Sequence, residues 1–287
     1  MEILLAANAG FCFGVKRAIN MAFEAAENCE GEVYTLGPII HNPQVVEKLG
    51  SEGVKSVNDL PSEGGATLIV RTHGVPPAVM EEAQQRFNVI DATCPFVKKA
   101  QEDAHQLAEE GYQVVLVGDK GHPEVTSIMG SAGKGAVVVE SAEELKDIRL
   151  KKRIGVIVQT TQSFENLAAV VTECLARGKV VKVFNTICNS TTVRQEATRE
   201  LARKVDLMLV VGGRNSANTT RLTTICLDEG KTTYHIEVPE EIREEWLEKV
   251  EKVGITAGAS TPEWIINGVV EKLKELEKSR ATALKNS

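Results

Sequence analysis

The stretch Val89-Ile90-Asp91-Ala92-Thr93-Cys94-Pro95-Phe96-Val97-Lys98-Lys99 passes from a short apolar strand, through one cysteine, into a helix led by proline. Proline suits the first helical position, because the N–H it lacks has no partner there. The same order occurs twice more. Ala9-Gly10-Phe11-Cys12-Phe13-Gly14-Val15-Lys16-Arg17 follows the first apolar run, and Asn185-Thr186-Ile187-Cys188-Asn189-Ser190-Thr191 follows a later one. The intervals between these cysteines are each close to a third of the chain. A strand–cysteine–helix element at that interval predicts three similar α/β units, over residues 1–96, 97–190 and 191–287.

Working outward, eleven runs read as strands: 2–7, 33–36, 67–70, 89–91, 114–117, 137–139, 154–158, 180–184, 207–211, 232–236 and 254–257. Most hold four to six residues, rich in Val and Ile and apolar on both faces, as parallel strands covered by helices require. Helices are expected over 15–27, 96–110, 192–204 and 262–277, with a frayed polar tail over 278–287. Regular alternation of this kind implies an α/β architecture with mainly parallel sheets.

The 287 residues are 43% hydrophobic and 25% charged, with a net charge of −7. Those values exclude a disordered chain. The acidic balance argues against nucleic acid as a partner, since phosphate binding calls for a basic face. No run of eighteen apolar residues is present, so no membrane span is expected. The opening Met1-Glu2-Ile3 lacks a basic leader, and a cytoplasmic protein is expected.

Six cysteines without a CxxC rule out zinc ribbons and thioredoxin-like motifs. Cys29, Cys174 and Cys226 stand beside apolar neighbours near helix ends and are expected in the core. Cys12, Cys94 and Cys188 instead precede helices, among Gly, Pro and polar residues, where the helix dipole favours the thiolate that binds metal. Three thiolates suit a 4Fe–4S cluster with one open iron, or a zinc completed by a fourth ligand or water. A zinc hydrolase or lyase and a cluster-loss sensor are therefore the rival readings.

Polar residues gather in the loops that follow other strands: His41, His73, His122 with Glu124, Thr160, Ser216, Asn218 and Ser260. The carboxyl ends of strands are where open α/β sheets bind ligands. Many donors with little fixed charge suit an anionic, phosphate-bearing ligand beside helix N-termini. With cysteines and polar loops at the same end of each unit, the units are expected to face a common centre.

The motifs in their order, Gly10-Phe11-Cys12-Phe13-Gly14-Val15, Arg71-Thr72-His73-Gly74, Asp91-Ala92-Thr93-Cys94-Pro95, Gly121-His122-Pro123-Glu124, Gln159-Thr160-Thr161, Ile187-Cys188, Asn215-Ser216-Ala217-Asn218 and Gly258-Ala259-Ser260, run through the whole chain. Together they resemble the 4-hydroxy-3-methylbut-2-enyl diphosphate reductases, the iron–sulfur family that ends the non-mevalonate isoprenoid pathway. The resemblance implies a trefoil of three α/β units around a 4Fe–4S cluster (3Fe–4S when degraded) held by Cys12, Cys94 and Cys188. It implies that His41, His73, His122, Ser216, Asn218 and Ser260 hold the substrate diphosphate, and that Glu124 and Thr160 contact the hydroxyl and relay protons. At Ala217, where relatives can carry Ser, only a backbone contact is implied. The implied reaction is reductive dehydroxylation to isopentenyl and dimethylallyl diphosphate, with electrons delivered singly by ferredoxin or flavodoxin.

Overall fold

The computed structural model describes residues 1–286, and its strands form three four-stranded parallel sheets. In chain order the strands are β1 Glu2–Leu5, β2 Val33–Leu36, β3 Val54–Val57, β4 Thr67–Val70, β5 Asn88–Asp91 and β6 Gln113–Val117. There follow β7 Val137–Val139, β8 Arg153–Val158, β9 Val180–Phe184, β10 Leu207–Val211, β11 Thr232–Ile236 and β12 Lys252–Ala257. The helices are α1 Phe13–Asn28, α2 Pro43–Ser51, α3 Pro77–Arg86, α4 Pro95–Glu109, α5 Pro123–Met129, α6 Phe164–Arg177, α7 Asn189–Ala202, α8 Ala217–Asp228 and α9 Glu263–Asn286. The α/β class and parallel pairing expected from the apolar runs are what the chain adopts. No helix among the described residues is long and apolar enough to cross a membrane.

The chain divides into two compact units. One combines Met1–Cys12, His41–Pro43 and the chain from Ser190 onward. Its sheet runs β1-β12-β10-β11. Alternation along β10 sends Leu207, Leu209 and Val211 to one face, where Ile265, Ile266, Val269 and Leu273 of α9 cover them. Met208 and Val210 meet Leu201, Ala202, Leu222 and Ile225 of α7 and α8 on the other face. Burying each such side chain stabilises the unit by about 1.5–3 kcal/mol. Gly254 makes the close approach possible, since a Cβ there would collide with Met208 Sδ.

The other unit comprises Phe13–Ile40 and Gln44–Asn189. It holds two sheets, β3-β2-β4-β5 and β7-β6-β8-β9. Leu36, Leu68 and Val70 pack with Val75, Ala83 and Phe87 in the first. In the second, Val115, Val117, Val156 and Val158 meet Leu167, Val170 and Cys174 of α6. The opposite face, Val114, Leu116 and Ile157, is covered by Ala100, Ala104 and Leu107 of α4, spaced as one helical stripe.

Several expectations need correction. The expected first unit, 1–96, does not keep its first strand: β1 pairs with β12, Ile3 opposite Val253, and so joins the sheet built by the last third of the chain, while the sheets change between β5 and β6 and between β9 and β10. Met1 and Ile3 pack against the α9 core, which gives β1 its apolar partner there. Strand β3 is absent from the eleven expected runs; Val54-Lys55-Ser56-Val57 is an edge strand with two exposed positions, so its apolar signal is halved. Strand β1 stops at Leu5 rather than at 7, before Asn8 turns the chain at φ 60°. Helix α9 continues to Asn286, through most of the tail expected to fray, while Ser287 lies outside the described residues. Cys174 and Cys226 are fully buried as expected, but Cys29 is only half-buried just past α1.

Candidate active site

Each of the three sheets carries its special residues at equivalent strands. One edge strand of each leads into a cysteine: β1 into Cys12, β5 into Cys94 and β9 into Cys188. The next strand inward leads into a polar loop: β12 into Ser260, β4 into His73 and β8 into Thr160. The third strand does the same, β10 into Ser216, β2 into His41 and β6 into His122. The fourth strand of each sheet carries none of these residues.

The backbone ties the first two loops of each sheet together. Cys12 donates its N–H to Ala259 O at 3.2 Å, Cys94 to Thr72 O at 3.0 Å and Cys188 to Thr160 O at 2.9 Å. Each half-buried thiol stands immediately before a helix, α1, α4 or α7. Cys94 is the N-cap of α4, and its carbonyl accepts from Val97 and Lys98. A Cβ at Gly14 would lie 2.7 Å from Cys94 Sγ, so only glycine lets α1 lie against that thiol. The two buried cysteines differ in kind. Burial pushes the Cys174 thiol up to about 11 and that of Cys226 to about 12, which leaves both inert at neutral pH.

Glu124 is 2% exposed in the first turn of α5. Its Oε1 accepts from Thr160 N at 2.6 Å, and its Oε2 accepts from Thr160 Oγ1 at 2.9 Å. Loss of solvent dominates over these bonds and pushes its pKa up to about 7. His122 caps the same helix, with Nδ1 accepting from Glu124 N at 3.1 Å. An accepting Nδ1 places the proton of the neutral ring on Nε2, which makes that edge a donor. The His73 ring stands edge-on to it, 5.2 Å between centroids. Gln159 Oε1 accepts from Asp119 N at 2.8 Å and so pins the loop that leads to His122.

In the unit containing β10, Ser216 caps α8 and accepts from Thr219 N at 3.3 Å. Ala217 is then the first helical residue, whose N–H has no partner within the helix. Asn218 is 4% exposed, and neither its Nδ2 nor its Oδ1 has a hydrogen-bond partner among the described residues. Thr219 Oγ1, fully buried, shares that condition. Leaving such groups unpaired costs about 1–3 kcal/mol each, so they mark a place where a polar ligand is stabilising. Ser260 Oγ donates to His41 O at 3.2 Å. That bond engages its proton. Gly213 approaches the same region, because a Cβ there would lie 2.5 Å from His41 O.

Three arginines escape sequence reading. Arg194, 2% exposed on α7, donates to Asn8 O at 2.8 Å and to Gly10 O at 2.9 Å, which secures the loop before Cys12. Arg17 of α1 reaches Thr93 O at 3.2 Å, beside Cys94. Arg71 lies over Gly37 with its guanidinium half-buried, and burial pushes its pKa below the usual value. The Arg71-Thr72-His73-Gly74 motif contains that last residue, but a charged side chain in a loop reads as solvated until its burial is known. His105 and His235 take structural roles, one beside Glu109 on the surface of α4 and one bonded to Gly212 O.

The profile of the LytB protein family matches residues 3–274. A 4-hydroxy-3-methylbut-2-enyl diphosphate reductase of Geobacter sulfurreducens is 54% identical over 98% of this chain and 99% of its own. That of Pelobacter propionicus is 55% identical over 97% and 99%. Among solved structures, an (E)-4-hydroxy-3-methyl-but-2-enyl diphosphate reductase described as the terminal enzyme of the non-mevalonate pathway is 47% identical, with a TM-score of 0.71 over 96% of this chain and 100% of its own. The Plasmodium falciparum reductase is 29% identical, with a TM-score of 0.89 over 94% and 87%.

Proposed function

The chain belongs to the LytB protein family, and from that premise we propose that it reduces 4-hydroxy-3-methylbut-2-enyl diphosphate to isopentenyl and dimethylallyl diphosphate. Two electrons and two protons are consumed; the allylic C–O bond breaks, a C–H bond forms, and the oxygen leaves as water. The observation that carries the reading is the buried Glu124–Thr160 pair, a carboxyl that keeps its proton near neutral pH.

Cys12, Cys94 and Cys188 would hold a 4Fe–4S cluster. When bound, it supplies single electrons and a Lewis-acidic iron for the substrate alcohol. The donor set fits: three half-buried thiols, each at a helix N-terminus, with Gly14 clearing the approach to one of them. Three thiols leave one iron of a four-iron cluster without a protein ligand, as substrate binding needs.

The remaining roles fall to the protein. With Glu124 neutral, the 2.9 Å contact to Thr160 runs in reverse, Oε2–H donating to Oγ1. The threonine proton is then free to pass to the leaving oxygen, and the resulting carboxylate is stabilised by Thr160 N–H. Asn218 Nδ2, the Ala217 N–H and the α8 N-terminus suit diphosphate oxygens, as do the Nε2–H of His122 and the ring nitrogens of His73 and His41. Ser216 can add its hydroxyl proton while its oxygen caps α8. Ser260 contributes only if its bond to His41 O is given up. Ferredoxin or flavodoxin is the expected electron source.

The test is anaerobic turnover of the substrate with reduced methyl viologen, with both products measured and iron and sulfide determined on the same sample. A colourless, zinc-loaded protein that makes neither product would overturn the reading.

A further inference from the structure

Two large aromatic side chains stand in solvent just beyond two of the proposed ligands. Phe13 follows Cys12 and is 70% exposed; Phe96 comes two residues after Cys94 and is 47% exposed. Both belong to the unit containing β4 and β6, at the first turns of α1 and α4. The buried faces of those turns are made by Gly14 and Val15 on α1 and by Val97 on α4, so neither phenylalanine serves the core. The two helix starts are neighbours, because Arg17 of α1 donates to Thr93 O at 3.2 Å and Gly14 lies against Cys94 Sγ.

Cations share these two helix starts with the aromatic pair. Lys16, Arg17, Lys98 and Lys99 occupy these two helix starts, and neither first turn contains an acid. Asp91 pairs with Lys98 at 2.5 Å and Asp103 with Lys99 at 2.7 Å, and Glu102 also acts on Lys99, which leaves a surplus of one positive charge on the side of Lys16 and Arg17. Two helix N-termini add further partial positive charge. In a chain of net charge −7 this is a local reversal of sign.

We propose that the face formed by Phe13, Lys16, Arg17, Phe96 and Lys98 is where an acidic one-electron carrier protein docks. This rests on the proposed reductase function and assigns the entry point for its electrons. Exposed aromatics within a basic rim combine an anchor with electrostatic steering, and a small patch suits a partner that must leave after each transfer. Gly14 places only backbone over the Cys94 sulfur, which keeps the path from this face to the thiolate short. Each carrier gives one electron and departs oxidised, so two visits supply the two electrons that one substrate consumes.

The experiment compares two reductants on the anaerobic holoenzyme: a reduced ferredoxin or flavodoxin, and reduced methyl viologen. Lys16→Glu and Phe13→Ser are the main variants, with Lys16→Gln and Phe96→Ser as milder companions. At low salt, Lys16→Glu is expected to lower kcat/KM for the protein carrier about tenfold or more, with Lys16→Gln between it and wild type. Added salt should narrow the gap, while viologen-driven turnover and the visible absorbance stay at wild-type levels. Carrier kinetics unchanged in all four variants would overturn the proposal, as would equal losses with carrier and viologen. Wild-type protein that forms no product even with viologen fails a different claim, the reductase reading itself.

Discussion

Replacing Glu124 with Gln should make the protein more stable at alkaline pH while removing nearly all of its activity. In the folded chain this carboxyl titrates near 7 instead of at its ordinary 4.5, because it is buried. Below about pH 4.5 both the folded and the unfolded chain hold the proton, and burial of the neutral acid carries no ionisation penalty. Between 4.5 and 7 the unfolded chain loses its proton first, so stability falls as pH rises. Above 7 the full penalty is present, about 3 kcal/mol for a rise of this size. Glutamine removes the titration and keeps the geometry: its carbonyl can accept from Thr160 N–H, and its amide can donate to Thr160 Oγ1. Urea unfolding of both proteins at pH 5 and pH 8 isolates the effect, since every other group cancels in the comparison. The variant should gain about 2.5 kcal/mol on wild type between the two pH values, since a little of the penalty is already present at pH 5, and turnover should fall about 10²–10⁴-fold. Parallel pH dependences in the two proteins would show that Glu124 is not a buried, proton-holding acid.

The same pKa predicts that the turnover rate declines about tenfold per pH unit above 7 where proton delivery limits it, read from a pH–rate profile with viologen as reductant. Cys12→Ser, Cys94→Ser and Cys188→Ser should each lose most of the iron and the visible absorbance, while Cys174→Ala and Cys226→Ala should keep both, measured by anaerobic metal analysis. Gly14→Ala should displace Cys94 Sγ through its added methyl and reduce iron content without touching a ligand. Asn218→Ala should weaken inorganic diphosphate binding about tenfold or more, yet leave ligand-free stability level or higher, because two unsatisfied polar atoms leave the interior; calorimetry and urea unfolding check the two halves.

Much of the fold was legible because parallel strands buried on both faces announce themselves as short Val- and Ile-rich runs. Residues 207–211 and 154–158 are both strands at the expected positions. Edge strand β3 was not legible, because half of its side chains face water. Pairing is the deeper loss. Nothing local in Glu2-Ile3-Leu4-Leu5 says that its partner is Lys252–Ala257, since that choice depends on which sheet edge remains open. At the site, residue types and strand-end positions could be read, because thiols before helices and polar loops after strands are local patterns. The bond that engages Ser260 and the burial that raises Glu124 are not local, and no residue type announces them.

The place of β1 explains why three cysteines spaced along the chain do not define three consecutive units. In the sheet β3-β2-β4-β5, the chain lays down the third strand from the cysteine edge, then the far edge, then the second, and ends on the cysteine edge. The sheet β7-β6-β8-β9 repeats that order. Strands β10, β11 and β12 begin it a third time, and the cysteine edge they lack is provided by β1 from the other end of the chain. The units are therefore cyclically permuted against the sequence, and any division at equal thirds places Cys12 and Cys94 together and leaves the last third with none of the three. Read by sheets, each has one such cysteine, and each cysteine N–H is bonded to the loop after the neighbouring strand. The closing β1–β12 pairing joins residues at opposite ends of the chain, the kind of contact that carries a high loop-closure cost. Burial of Met1 and Ile3 against the α9 core offsets that cost. Arg194 then secures the carbonyls of Asn8 and Gly10, so the loop before Cys12 is held by side-chain bonds from α7 as well as by strand pairing.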